Sequence, residues 1–262
     1  MSERNSRENR RRAIEQARQR EARRRRRLRL ALWGGVAVVL AGLGTGIGLG
    51  VTSGSASGGS PSGSTAGSAS YAALSTLGTL RTPPPAGTLG PESVPIPDAP
   101  ALAGTSAATA GQAIDGISCD TSEQTLFHIH THLTIFVNGQ QRSVPAGIGI
   151  PHAVATQTSA GPFIESGTCF YWLHTHAADG VIHIESPVVR TYTLGDFFDE
   201  WGQPLGPSQA GPAHGKVTVI INGKVFQGNP RNAPLGSHEN LQLDVGAPLV
   251  APETINWSIT GL

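Results

Sequence analysis

Six of the nine histidines fall into two groups whose spacing suits metal coordination: His128, His130 and His132, then His174, His176 and His183. The second group lies within Cys169-Phe-Tyr-Trp-Leu-His174-Thr-His176-Ala-Ala-Asp179-Gly180-Val-Ile-His183-Ile-Glu185. Asp-Gly is a strong signal for a two-residue hairpin turn. A turn at Asp179-Gly180 sets His176 opposite His183 and His174 opposite Glu185. A four-residue turn over 177–180 shifts the pairs but keeps all four side chains on one face, because both loop lengths are even. Leu173, Thr175, Ile182 and Ile184 then share the other face, which suits a core. Directly opposed Cβ atoms lie about 4.5–5.5 Å apart, so three imidazoles and a carboxylate can converge on one ion.

His128, His130 and His132 also share one strand face. Three such histidines span about 13 Å at 3.3 Å per residue, too far for all to reach one ion. One or two of them can join the second group if the strands are neighbours. An HxH pair plus a histidine from the next strand gives the three-His arrangement of open zinc sites, and imidazole suits zinc and copper alike. His174, His176 and His183 are therefore the expected ligands, with His130 or His128 as the fourth and His132 on the same face. Glu185 is expected as a ligand, or as the acceptor that fixes a histidine tautomer. The competing reading is a polar sheet face of hydrogen-bonded, metal-free histidines. His152, His214 and His238 sit in Gly/Pro-rich stretches and read as surface residues.

Cys119 and Cys169 are the only cysteines. Outside the cytoplasm they are expected to form a disulfide, worth ~4 kcal/mol for a loop of this length in the chain-entropy model. The alternative is a copper thiolate at Cys169 with His174 and His176. It lacks an axial methionine, since Met1 is the only one, and it leaves Cys119 idle.

These residues need strands to hold them. Phe127, Ile129, Thr131, Leu133, Ile135 and Val137 alternate with His128, His130, His132, Thr134, Phe136 and Asn138, a period of two. Asn138-Gly139 closes that run with a hairpin turn, and Asn222-Gly223 repeats the device after Thr218–Ile221. Further strands are expected at 169–176, 181–186 and about 240–245. One short helix is expected at Leu194–Trp201, with Thr193 as N-cap and Asp196 three residues on. Residues 113–262 thus read as a mainly β ectodomain, an antiparallel sandwich or barrel with one short helix.

The rest of the chain reads as an anchor. Thirteen arginines against four glutamates give residues 1–30 a charge of +9, and the remaining 232 residues carry −8. Ala31 to Val51 is a run of 21 residues without a charge. As a helix it is about 31 Å long, matching a hydrocarbon core of roughly 30 Å. We expect an uncleaved, single transmembrane helix. Its basic flank places the N-terminus in the cytoplasm and the C-terminal domain outside. Arg23, Arg24, Arg25, Arg26 and Arg27 suit contact with anionic lipid headgroups rather than nucleic acid. From Thr52 to Gln112, 49 of 61 residues are Gly, Ser, Ala, Thr or Pro. This stretch is expected to be a disordered linker, its proline-rich second half stiffer, with Val94 to Leu102 lying along the domain surface as the alternative.

The strings His-Ile-His-Thr-His-Leu (128–133), Trp-Leu-His-Thr-His…Gly-Val-Ile-His-Ile-Glu-Ser (172–186) and Leu-Gly-Asp-Phe-Phe-Asp-Glu-Trp-Gly (194–202) resemble a group of uncharacterised bacterial and archaeal membrane-anchored proteins with a His-rich extracytoplasmic domain. The resemblance covers roughly 115–250 and implies no activity. The segment is also faintly similar to a cupin, whose ligands are three His and one Glu, but a cupin's Glu follows HxH where this chain has Asp179. Three functions fit the residues. The leading one is handling or sensing of zinc or copper. The second is a metal-dependent hydrolytic or hydration enzyme with Glu185 or Asp179 as general base. The third is a metal-free interaction module with a pH-sensitive histidine face.

Overall fold

A computed structural model describes residues 69–106 and 108–262. The arginine-rich tail, the expected membrane span and the first part of the linker lie outside the described residues. Among the described residues no helix is long and apolar enough to cross a membrane.

The centre is a mixed sheet of eight strands: β1 (Ser70–Ala73), β2 (Phe127–Val137), β3 (Gln140–Arg142), β4 (Leu173–His174), β5 (Val181–Ser186), β6 (Val217–Ile221), β7 (Lys224–Gln227) and β8 (Glu239–Val245). They run in the order β1-β7-β6-β8-β2-β5-β4, and β3 pairs with Ile135–Val137 of β2. The sheet does not close into a barrel; smaller two- and three-stranded sheets surround it. It is also not purely antiparallel, because β8 lies parallel to β2, with Glu239 beside Thr131 and Val245 beside Val137. A parallel pair needs a long crossover. The chain between them, 138–238, which passes through β3 to β7 and α1 (Leu194–Glu200), supplies it.

The period-two pattern does the positioning. On β2, Leu133 and Ile135 point into the core, joined from β4 and β5 by Leu173, Ile182 and Ile184. Phe197 and Phe198 of α1 and Trp201 at its C-cap close over them, all fully buried. The helix starts where expected: the Thr193 hydroxyl accepts from Asp196 N, and Thr193 N donates to the Asp196 carboxylate. Both Asn-Gly turns are two-residue turns with positive φ, Asn138 at 51° and Asn222 at 49°. That conformation matches the twist of the flanking strands.

The described part of the expected linker is not a free coil. β1 pairs with β7, and Tyr71 packs edge-on against Phe226. Arg81 bridges Val250 and Ala101 bridges Ser143. Glu92, Val94 and Leu102 are buried. A few anchors spaced along a small-residue chain suffice to dock it, and the prolines between them favour the extended path such docking needs. The domain therefore begins before residue 113.

Candidate metal centre

The strand register that gathers the histidines is that of the four-residue turn over 177–180, not that of the two-residue turn at Asp179-Gly180. β4 and β5 pair as Leu173 with Ile184 and His174 with His183. After His174 the chain leaves the sheet: Thr175 N donates to Ile148 O, and the Thr175 hydroxyl donates to Pro145 O. Asp179 Oδ1 meanwhile accepts from Val181 N, widening the turn. Gly149 permits the close approach of the 145–151 loop. Its φ is +71°, and a Cβ there would lie 2.2 Å from Leu173 O.

β5 pairs in turn with β2, setting His183 beside His130 and Glu185 beside His128. His174, His183 and His130 thus form one row across three strands. The His183 ring is the hub, its centroid 4.5 Å from His130, 4.5 Å from His176 and 5.4 Å from His174. Three sets of donors lie within 4.8 Å of one another: His128, His130, His183 and Glu185; His174, His176 and His183; and Glu123, His174 and Glu185.

Hydrogen bonds to the outer ring nitrogens fix how the imidazoles face one another. His174 Nδ1 lies 2.8 Å from Tyr171 O and His176 Nδ1 lies 2.5 Å from Ile164 O. A carbonyl only accepts, so both Nδ1 atoms carry their hydrogens. The two Nε2 atoms then face each other at 3.1 Å. Burial, reinforced by His183, pushes both imidazoles below their ordinary pKa, so neither supplies a second proton at neutral pH. The result is two bare lone pairs in contact, an arrangement a cation relieves. Two nitrogens on one tetrahedral zinc, each about 2.0–2.1 Å away, are themselves about 3.3 Å apart.

On the other side of the hub, His128 Nε2 lies 3.0 Å from His130 Nε2 and 3.0 Å from Glu185 Oε1. One hydrogen on His128 can serve only one of them. Burial, followed by the neighbouring imidazoles of His183 and His128, pushes His130 down to about 3. His183 Nε2 donates to Glu92 Oε1 at 2.7 Å, leaving Nδ1 as the inward atom, 3.5 Å from Glu185 Oε1 and outside hydrogen-bond geometry. Burial alone would lower His183, but Glu185 and Glu92 outweigh it and carry it up to about 9. Burial likewise opposes the charge on Glu185, yet His128 and His183 hold that carboxyl below the usual carboxylate range. Glu185 Oε2 is buried without a partner.

Six of the seven expected ligands come together: His128, His130, His174, His176, His183 and Glu185. His132 does not join them. Its Nε2 donates to Asp179 O at 2.8 Å, and it lines a cavity of about 270 Å³ with Asp179, Pro83 and Glu253. Asp179, expected as a possible base, also lies outside the three donor sets. Burial, then the charge on Glu92, carries it up to about 8. Cys119 and Cys169 form the expected disulfide, with Cα atoms 5.4 Å apart, so no thiolate is free for copper.

Two carboxylates escaped the sequence reading. Glu92 lies in the stretch read as linker, where it is one of three charged residues, a rarity that marks it. Glu123 sits 3.6 Å from His176 Nε2, carried there by the disulfide that ties its loop to the start of the His174 segment. Comparison with known proteins finds no matching family model, curated protein or solved structure.

Proposed function

We propose that residues 69–262 form a transition-metal-binding domain for zinc or copper. Its ligands come from His128, His130, His174, His176, His183 and Glu185, and its task is metal handling or sensing. One observation carries this reading: the facing Nε2 atoms of His174 and His176, stripped of protons by two backbone carbonyls and held 3.1 Å apart. A metal-free polar face would pair its donors with acceptors, as His132 does. Glu92 behind His183 completes the arrangement, in which a carboxylate orients a ligating imidazole from its far side.

The proposed setting is extracytoplasmic. The uncharged run 31–51 is the anchor, the arginines before it stay inside against anionic lipid, and the disulfide suits an oxidising exterior. A cysteine-labelling experiment on the intact membrane tests this; labelling of positions beyond 52 only from the cytoplasmic side refutes it.

For the metal, the full chain is purified in detergent without a histidine tag or chelator and analysed by elemental mass spectrometry. Bound zinc or copper is expected. The His183→Ala/Glu185→Ala variant, which breaks every donor set, should lose on the order of 100-fold or more in affinity. A chain that carries no metal and takes up none when supplied refutes the proposal.

A further inference from the structure

We infer that the cluster is built for two ions, with the Glu185 carboxylate between them; this rests on the metal-binding reading above. The donors exceed what one ion uses. A tetrahedral site takes four ligands, whereas five imidazoles and two carboxylates meet here.

The donors also divide into two sets, each with its own close pair. His128 and His130 present Nε2 atoms 3.0 Å apart, and His174 and His176 present theirs 3.1 Å apart. Each separation is near that of two ligands on a single ion. The first ion takes His128, His130, His183 and Glu185, four donors within 4.8 Å of one another. His183 belongs to this ion through Nδ1, because its Nε2 is committed to Glu92. With one free nitrogen, it cannot hold both.

The second ion takes His174 and His176, together with Glu123. Glu123 shares a donor set with His174 and lies 3.6 Å from His176 Nε2. Glu185 is the remaining link. It belongs both to the His128/His130 set and to the Glu123/His174 set, and its Oε2 is buried without a partner. One oxygen to each ion satisfies both, and ions bridged in this way sit about 3.5–4 Å apart. The charge fits as well. Glu92, Glu123 and Glu185 offset three of the four charges of two dications. Glu123 is 40% exposed and His128 37% exposed, so the cluster opens to solvent along that edge.

The test is metal stoichiometry in the full chain, stripped with chelator and saturated with Cu(II). Wild type should bind two equivalents, with most of the copper EPR signal lost to coupling between the ions. His128→Ala/His130→Ala and His174→Ala/His176→Ala should each keep one equivalent and show the full signal of an isolated ion. Glu185→Gln should uncouple whatever copper remains. A wild-type stoichiometry of one overturns the two-ion inference and leaves the metal-binding function standing, independently of how any variant folds. Two equivalents with no coupling place the ions apart and overturn the shared carboxylate. No uptake overturns both proposals.

Discussion

Varying the pH of metal titrations should change the affinity in a direction fixed by one residue, His183. In the metal-free protein burial would lower this imidazole, but Glu185 and Glu92 carry it up to about 9. A metal needs the neutral ring, so binding must expel its proton. At pH 8 an imidazole titrating near 9 is still about 90% protonated, whereas an ordinary histidine near 6.5 is almost fully neutral. His130, down at about 3, and the lowered His174 and His176 have nothing to release. Binding at pH 8 should therefore expel about 0.9 proton, and affinity should climb about tenfold per pH unit from 7 to 9 before levelling off. Calorimetry in two buffers of different ionisation enthalpy reads the proton directly. Glu92→Gln removes one of the two carboxylates that hold the proton, so release should fall well below that value. The same change should cost roughly 10–100-fold in affinity above pH 9, where the proton no longer competes and only the orienting bond is lost. Metal-free stability follows the same logic in reverse. A raised histidine stabilises fully below its unfolded pKa of about 6.5, and that contribution disappears as pH rises through about 9. Equal binding enthalpies in both buffers would show that His183 gives up no proton and would refute the charged imidazole on which this reasoning rests.

Removing the disulfide with Cys119→Ala/Cys169→Ala should cost ~4 kcal/mol and lower Tm by roughly 10 °C; an unchanged melting curve under reducing conditions would contradict this. Glu200 is fully buried with neither carboxyl oxygen paired, and burial, then the charges of Asp196 and Asp115, raises its pKa well above normal. Its burden on the fold is absent below the unfolded pKa of about 4.5 and grows as pH rises above it. Glu200→Gln should thus stabilise by about 1–3 kcal/mol at pH 8 and by much less at pH 4.5; urea midpoints that shift equally at both pH values would rule this out. Gly149→Ala forces a Cβ against Leu173 O and within 3.0 Å of His174 Cβ. It should destabilise by roughly 2–4 kcal/mol and loosen metal retention, while an unaltered protein would show that the loop yields.

Much of this fold was legible because one period, two dipeptides and one capping box dominate it. The alternation from Phe127 to Val137 predicted the longest strand, and Asn138-Gly139 and Asn222-Gly223 predicted both tight hairpins. Thr193 and Asp196 located the helix start because a capping box is a local device. What local pattern could not supply was pairing at a distance. Nothing in 239–245 says that it lies parallel to β2, since that choice depends on the crossover between them. The register at His174 is that of the four-residue turn over 177–180, one of the two readings the sequence allows, but nothing local says that Thr175 is drawn off the sheet by Pro145 and Ile148.

The ligands were legible for the same reason as the strands, whereas their supports were not. A histidine on every second position announces a face, whereas Glu92, marked only as one of three charges in the linker, has no visible role until the chain around it is seen docked. That docking has a consequence for any fragment. A domain cut at residue 113, where composition changes, discards β1, the buried side chains of Val94 and Leu102, and the carboxylate that orients His183. Burying each of those two aliphatic side chains contributes about 1.5–3 kcal/mol, a large share of a typical net stability of about 5–15 kcal/mol. A fragment of residues 113–262 should therefore melt lower and bind metal more weakly than one of residues 69–262. Thermal melts and copper titrations of the two fragments side by side decide it. Indistinguishable behaviour would mean that the 70–102 segment merely lies on the domain and that His183 needs no carboxylate behind it.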